Sequence, residues 1–271
     1  MSGRPGAGGS ALGLRHKRVQ RVRRLLSQAS YRRAEGAFVL EGTKLLEEAL
    51  RAGAPLEAVY LAPDPGREDL AQLVDKAYEA GVRVFPLRPG VMERVADTVT
   101  PQPVLAIAGL VARRLEEVRD ETFFVVCADL RDPGNLGTVL RTAEASGVGA
   151  VLCTDGTVDV YNPKCVRASA GSVFHVRLVA GGKPVEVLEQ VGGWGVCRLG
   201  ATALGGTPYD QVDFRRPTAI VLGNEAAGIS EDLTRILDGH VSVPMVGRAE
   251  SLNVGMAAAI LCFEAARQRR T

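Results

Sequence analysis

The stretch "TFFVVCADLRDPGNLGTVLRTAEASGVGAVLCTD", residues 122–155, decides the fold. It opens with an apolar run too short for a helix and rich in aromatic and β-branched residues, which marks a buried strand. A glycine- and proline-containing turn follows, then a helical segment that ends at Gly147, then a second apolar run. Strand, turn, helix and strand in about 30 residues form a βαβ unit, and strands apolar on both faces belong to a parallel sheet covered on two sides.

Working outward, the alternation continues to the C-terminus. "NPKCVRASAG", a strand in "VFHVRLV", a helix in "PVEVLEQVGG" and "WGVCRLGATAL" come first. "TAIVLGN", a helix in "SEDLTRILDG", a strand in "HVSVPM" and a long helix from about Ser251 to Gln268 complete it. Toward the N-terminus, residues 37–110 alternate in the same manner: "AFVLEG", "TKLLEEALRAG", "LEAVYLA", "REDLAQLVDKAYEAG", "VRVFPL", "GVMERVADTV" and "PVLAIAGL". Glycines at 53 and 81 stop two of these helices. The charged stretch "VARRLEEVRDE" at 111–121 separates the halves. The expected organisation is a basic tail and helix over 1–33, a small α/β domain over 34–112 and a larger α/β domain over 120–271.

Composition narrows the function. The chain has 271 residues, 46% hydrophobic and 24% charged, with a net charge of +2. Its apolar runs fall short of the roughly 20 residues needed to cross a bilayer. The glycine-rich start lacks the apolar core of a secretory signal, so a cytoplasmic location with a disordered tail is expected. The five cysteines and three histidines are scattered without metal-ligand spacing, pointing to reduced thiols and no metal. No P-loop and no G-x-S-x-G elbow occurs, which disfavours nucleotide hydrolysis and serine-hydrolase chemistry. A G-x-G-x-x-A match at Gly6–Ala11 lies in the tail with no strand before it and is discarded.

Charge is distributed unevenly. The first 33 residues hold nine of the 33 basic residues and none of the 31 acidic ones, leaving the remainder net acidic. In "LRHKRVQRVRRLLS", apolar residues at helical spacing alternate with arginines, including Arg15, Arg18 and Arg21. Such a helix suits a phosphate backbone, an anionic membrane surface or plain solvation; the narrow apolar side without Trp or Phe favours nucleic acid over lipid.

Open parallel sheets bind ligands where strands end and loops lead into helices. Three such loops are rich in glycine, asparagine and small polar residues: "LRDPGNLG", "LGNEAAGIS" and "VPMVGRAESLN". Singly, each is explained by a turn or a helix cap, with Ser251 a candidate cap for the last helix. Together, "NLGTVLRTA" (135–143), "IVLGNEAAGIS" (220–230) and "VPMVGRAESLNVGMAAAI" (243–260) resemble the three ordered motifs of the SpoU (TrmH) family of RNA ribose 2′-O-methyltransferases. "FVLEGTKLLEEAL" resembles the L30e-like substrate-binding domain often fused ahead of them.

The resemblance implies an α/β catalytic domain with a deep C-terminal trefoil knot, a topology that ordinary connection rules argue against. It implies S-adenosylmethionine as cofactor, a structured RNA as substrate, ribosomal RNA ahead of transfer RNA, and a homodimer whose site draws on both subunits. A protein of this fold that binds RNA without methylating it is the alternative. Carried over residue by residue, Thr202, Ala203, Leu204, Gly223, Val243, Met245 and Leu252 line the cofactor pocket. Asn135, Arg141, Glu225, Ser251 and Asn253 surround the reaction. Arg141 grips the substrate phosphate and leaves that phosphate, or a guanidine of lowered pKa, to accept the proton. In "NPKCVRASAG", Lys164 and Arg167 suit RNA phosphates at the mouth of the site, and a solvated helix explains them equally well. Gly255, where the family often has serine, and "EAAG" in the second motif depart from the pattern and bear on target choice.

Overall fold

The computed structural model describes residues 10–63 and 68–270; the first nine residues of the basic tail lie outside it. The chain runs α1 (Lys17–Ser27), α2 (Ala29–Glu35), β1 (Ala37–Glu41), α3 (Thr43–Arg51), β2 (Leu56–Leu61), α4 (Glu68–Glu79), β3 (Arg83–Pro86), α5 (Met92–Val95) and β4 (Val104–Gly109). It continues with β5 (Phe123–Cys127), α6 (Pro133–Ser146), β6 (Ala150–Cys153), α7 (Pro163–Ala168), β7 (Leu178–Ala180), α8 (Pro184–Gly193), β8 (Cys197–Thr202) and β9 (Thr207–Pro208). Then come β10 (Thr218–Leu222), α9 (Glu231–Thr234), β11 (Gly239–Ser242) and α10 (Val254–Arg269). Two compact units result. One runs to Val111 and takes in Tyr161–Phe174; the other holds Ala112–Val160 and everything from His175 onward.

The first unit is a four-stranded sheet of order β1-β4-β2-β3, antiparallel except for the β2–β3 pair. Helix α1 belongs to its core. Val19, Val22, Leu25 and Leu26, spaced at three and four residues, are buried against Val39, Tyr60 and Ile107. Three arginines of this segment are engaged by the fold. Arg21 pairs with Glu35 at 2.7 Å and Glu57 at 2.6 Å, Arg18 lies 4.5 Å over the Phe85 ring, and the buried Arg32 donates to the carbonyls of Leu25 and Leu26.

Of the expected elements that come out shorter, two do so for tertiary reasons that can be named. The helix expected over "GVMERVADTV" stops at Val95, because Asp97 turns toward Arg167 and the Thr98 hydroxyl donates to the buried carboxylate of Glu41. The strand expected in "VFHVRLV" is confined to Leu178–Ala180, since Phe174 sits in a 3-10 turn with its ring 6.0 Å from that of Phe38. That ring draws Tyr161–Phe174, part of the larger half of the sequence, into the first unit.

The second unit is a seven-stranded sheet of order β7-β6-β5-β10-β8-β11-β9, parallel at every pair. Strands β5, β6 and β10 are buried along their whole length. Helix α10 packs on α6 and on β10, and at its end Arg269 bonds Thr122 and the carbonyl of Arg216. With every pair parallel, all the strands end on one side, and the three glycine-rich loops emerge there after β5, β10 and β11.

Candidate active site

The loop after β5 is built around Asp132, whose side chain caps α6 by accepting the N–H of Asn135 at 2.9 Å, with Pro133 at the first helical position. A proline there costs nothing, because its missing N–H would have had no helical partner. Asn135 is thereby fixed in the first turn of α6. The loop after β10 is a tight turn in which Asn224 and Gly228 exchange backbone hydrogen bonds of 2.9 Å and the Asn224 side chain accepts from Ala226 and Ala227. Gly223 is required for a spatial reason: a Cβ there would stand 2.5 Å from the carbonyl carbon and oxygen of Gly228. The loop after β11 ends at Asn253, which caps α10 by accepting from Gly255 at 2.9 Å. Asn253 takes the capping role expected of Ser251.

Side chains tie the three loops into one network. The Glu225 carboxylate accepts from the N–H groups of Arg131 at 3.0 Å and Asp132 at 3.1 Å, and from the Asn135 amide at 3.0 Å. The Asn135 carbonyl oxygen in turn accepts from the Asn253 amide at 2.8 Å. Burial alone would raise the pKa of Glu225, but the hydrogen bonds from Asn135, Arg131 and Asp132 outweigh it and hold the carboxyl below its ordinary value of 4.5. A depressed folded pKa confers stability that is complete above the unfolded value and is lost as pH falls through the folded one. Glu225→Gln should therefore flatten the acid limb of thermal stability below the ordinary glutamate range and lower the melting temperature at neutral pH. Melting curves across that range, wild type against variant, check this; superimposable acid limbs would contradict it.

The network borders a cavity of about 740 Å³, within the range of roughly 300–1,000 Å³ usual for small-molecule sites. Four of the five residues expected around the reaction line it: Asn135, Glu225, Ser251 and Asn253. So do Thr202, Ala203, Gly223, Val243, Met245 and Leu252. Leu204 does not; it is 83% exposed, and its carbonyl accepts the Thr202 hydroxyl at 2.9 Å. Arg141 does not line the cavity either. It lies six residues beyond Asn135, roughly 9 Å along the helix and about 120° around it, with its side chain exposed. Asn224, Ala257 and Leu261 were missed by sequence reasoning, although Asn224, between Gly223 and Glu225 with Gly228 four residues on, carried a turn signal.

Of the remaining expected contacts, Arg15 and Lys164 are exposed. Arg167 is held within the first unit, 3.5 Å from Glu41 and 3.7 Å from Asp97, and the Glu41 side chain is 2% exposed. A buried carboxylate needs such a partner, so Arg167 has a structural duty. Gly255 has a local explanation: a Cβ there would stand 3.0 Å from Thr138 and 3.2 Å from the Asn253 carbonyl oxygen. Among the described residues there is no cluster that could hold a metal, and no helix is long and apolar enough to cross a membrane.

Residues 122–263 match the model of the SpoU rRNA methylase family, and residues 16–106 that of the MRM3-like substrate binding domain. The chain is 35% identical over 227 residues to the 23S rRNA (guanosine(2553)-2′-O)-methyltransferase of Bacillus subtilis, covering 83% of this chain and 87% of the relative. It is 30% identical over 265 residues to the 23S rRNA (uridine(2479)-2′-O)-methyltransferase of Streptomyces viridochromogenes, covering 94% and 91%. Its fold is similar to the crystal structure of the SpoU methyltransferase AviRb from Streptomyces viridochromogenes in complex with AdoMet, with a TM-score of 0.83 at 28% identity, covering 94% of this chain and 99% of that one.

Proposed function

The chain belongs to the SpoU rRNA methylase family, and from that premise we propose that it is an S-adenosylmethionine-dependent methyltransferase acting on a ribose 2′-hydroxyl of ribosomal RNA. The observation that carries the reading is the convergence of three loops, the first and last of them 118 residues apart at Asn135 and Asn253, on one cavity through the Glu225–Asn135–Asn253 network.

The cavity fits the cofactor in size and in the nature of its walls. Gly223 brings bare backbone to the surface, Val243, Met245 and Leu252 offer apolar packing, and Ser251 and the Thr202–Ala203 strand end offer polar groups. Bound there, S-adenosylmethionine supplies an electrophilic sulfonium methyl. What the chain must add is a ribose hydroxyl held still and relieved of its proton, since a neutral hydroxyl is a weak nucleophile. Both ends of the Asn135 amide and the Glu225 carboxylate are occupied by protein partners, so these two residues hold the loops in register. Ser251 lines the cavity with no side-chain partner among the described residues and is left to meet substrate.

Arg141 then contributes from a second copy of the chain. An arginine, permanently cationic in proteins, cannot take the proton, but it can grip a phosphate bidentately and leave that phosphate as the acceptor. Its exposure on α6, outside its own cavity and without an ion pair among the described residues, supports a role at a neighbouring site. Helix α10, packed beside α6, supports the dimer: Met256 and Phe263, seven residues apart and hence on one face, are 61% and 44% exposed. Exposed apolar side chains on a helix that packs with the one carrying Arg141 suit a self-complementary interface. The proposal includes a trefoil knot, with the return of α10 onto α6 in its support, and a cytoplasmic location, which suits five free thiols.

An RNA-holding domain is proposed over about residues 34–112, within the first unit, whose core also includes the basic helix α1. With Arg18 and Arg21 engaged in the fold, the exposed Arg15, Arg23 and Arg33 are left to meet phosphate. Replacing these three with glutamine should weaken RNA binding and reduce the slope of log affinity against log salt by about 2; an unchanged slope would remove the segment from the interface. The enzymatic reading is tested by incubating the full chain with methyl-labelled S-adenosylmethionine and ribosomal RNA, then mapping the label by mass spectrometry. A single 2′-O-methylated nucleotide supports it, whereas tight RNA binding without transfer favours a binding protein, and label in transfer RNA alone changes the substrate.

A further inference from the structure

Asp129, between β5 and α6, is one of two residues other than glycine with positive φ among those described, at 66°. Aspartate tolerates that left-handed conformation better than most residues, but it is still costly unless something holds it. Here everything around it does. Its N–H donates to the Thr157 hydroxyl at 3.1 Å, and one carboxylate oxygen lies 2.5 Å from the Arg131 guanidinium. The other carboxylate oxygen and its backbone carbonyl both accept from the Asn224 side-chain amide, each at 3.1 Å.

Asn224 is thus used at both ends. Its amide is anchored on Asp129, and its carbonyl oxygen accepts the N–H groups of Ala226 and Ala227, 3.0 Å from each. Those N–H groups belong to the turn that forms one wall of the 740 Å³ cavity. Asp129 itself does not line that cavity. We propose that Asp129 is a positioning residue for the cofactor: through Asn224 it holds the 224–228 turn in the shape that receives S-adenosylmethionine. The identity of the ligand rests on the functional reading above; the clamp itself rests on the geometry. Unlike Glu225, which ties the same turn to Asn135 of α6, Asp129 holds the turn through Asn224 from outside the cavity, so its loss should be felt in affinity rather than in turnover.

Asp129→Gly is the informative variant, because glycine accepts the positive φ without strain and removes only the carboxylate. It is expected to raise the dissociation constant for S-adenosylmethionine, measured calorimetrically on the full chain, by about tenfold, the size of one lost charge-assisted hydrogen bond. Turnover at saturating cofactor should stay within about twofold, which places the effect in ground-state binding. Asp129→Asn, whose amide oxygen can still accept from Asn224, should recover most of the affinity. In the cofactor-free protein, Asp129→Gly should speed hydrogen exchange at Ala226 and Ala227 by about tenfold through local opening. Unchanged exchange at those two amides, unchanged affinity, or a loss of turnover at unchanged affinity would each overturn the proposal. If the wild-type chain fails to bind S-adenosylmethionine, the functional reading falls, and the exchange measurement still decides the clamp.

Discussion

Replacing Arg141 with alanine is expected to lower methyl transfer by about a thousandfold, the order of effect seen when a group that orients or stabilises a reacting centre is removed. S-adenosylmethionine binding and the melting temperature should stay at wild-type values. The expectation of an intact fold follows from the surroundings: Arg141 is exposed and outside the cavity, and surface substitutions away from buried networks usually change stability by less than about 0.5 kcal/mol. Arg141→Lys should recover little of the activity, because an ammonium is a point charge without the planar fork that fits a phosphate. Single-turnover assays at saturating cofactor, with calorimetric binding alongside, separate these quantities. A variant that keeps a tenth or more of the activity would exclude Arg141 from the reaction.

The second large effect is expected at Gly223. In Gly223→Ala the new methyl group would lie 2.5 Å from the carbonyl carbon and oxygen of Gly228 and 2.7 Å from the Ile229 nitrogen. These obstacles are backbone atoms within a turn closed by two hydrogen bonds, so no side-chain rotation can relieve the overlap. The turn must open, and S-adenosylmethionine affinity should fall by at least about a hundredfold. Gly247→Ala is the matching control, because a Cβ at Gly247 meets nothing within 4 Å. Near-normal binding by Gly223→Ala would show that this turn does not form the cofactor wall.

Much of this was legible in the sequence, for physical reasons that can be traced to particular segments. The apolar runs at 123–127, 150–153 and 218–222 had to be buried on both faces, which dictated a parallel sheet and put the ligand loops on one side. The three motif loops were visible because glycine, asparagine and short polar side chains cluster where backbone must turn sharply. Side-chain pairing was hidden. Arg21 and Arg167 look like nucleic-acid contacts in isolation, and only the fold brings Glu57 to the one and Glu41 and Asp97 to the other. The exchange of Tyr161–Phe174 into the first unit was hidden as well, because hydropathy does not say which core a phenylalanine ring will join. Arg141 illustrates both sides: its place in a motif marked it as functional, while the face of α6 it occupies could be known only from the packing against α10.

The proposed sharing of each active site, the cavity of one protomer with Arg141 of the other, is tested most directly by mixing two inactive variants. Chains carrying Arg141→Ala and chains carrying Gly223→Ala, co-expressed in equal amounts with different tags, should yield mixed dimers. Each mixed dimer would hold one intact cavity facing one intact arginine. Purified through both tags, it should show about half the methyl transfer of a wild-type dimer, although each parent is inactive alone. Mixed dimers as inactive as their parents would contradict the shared site.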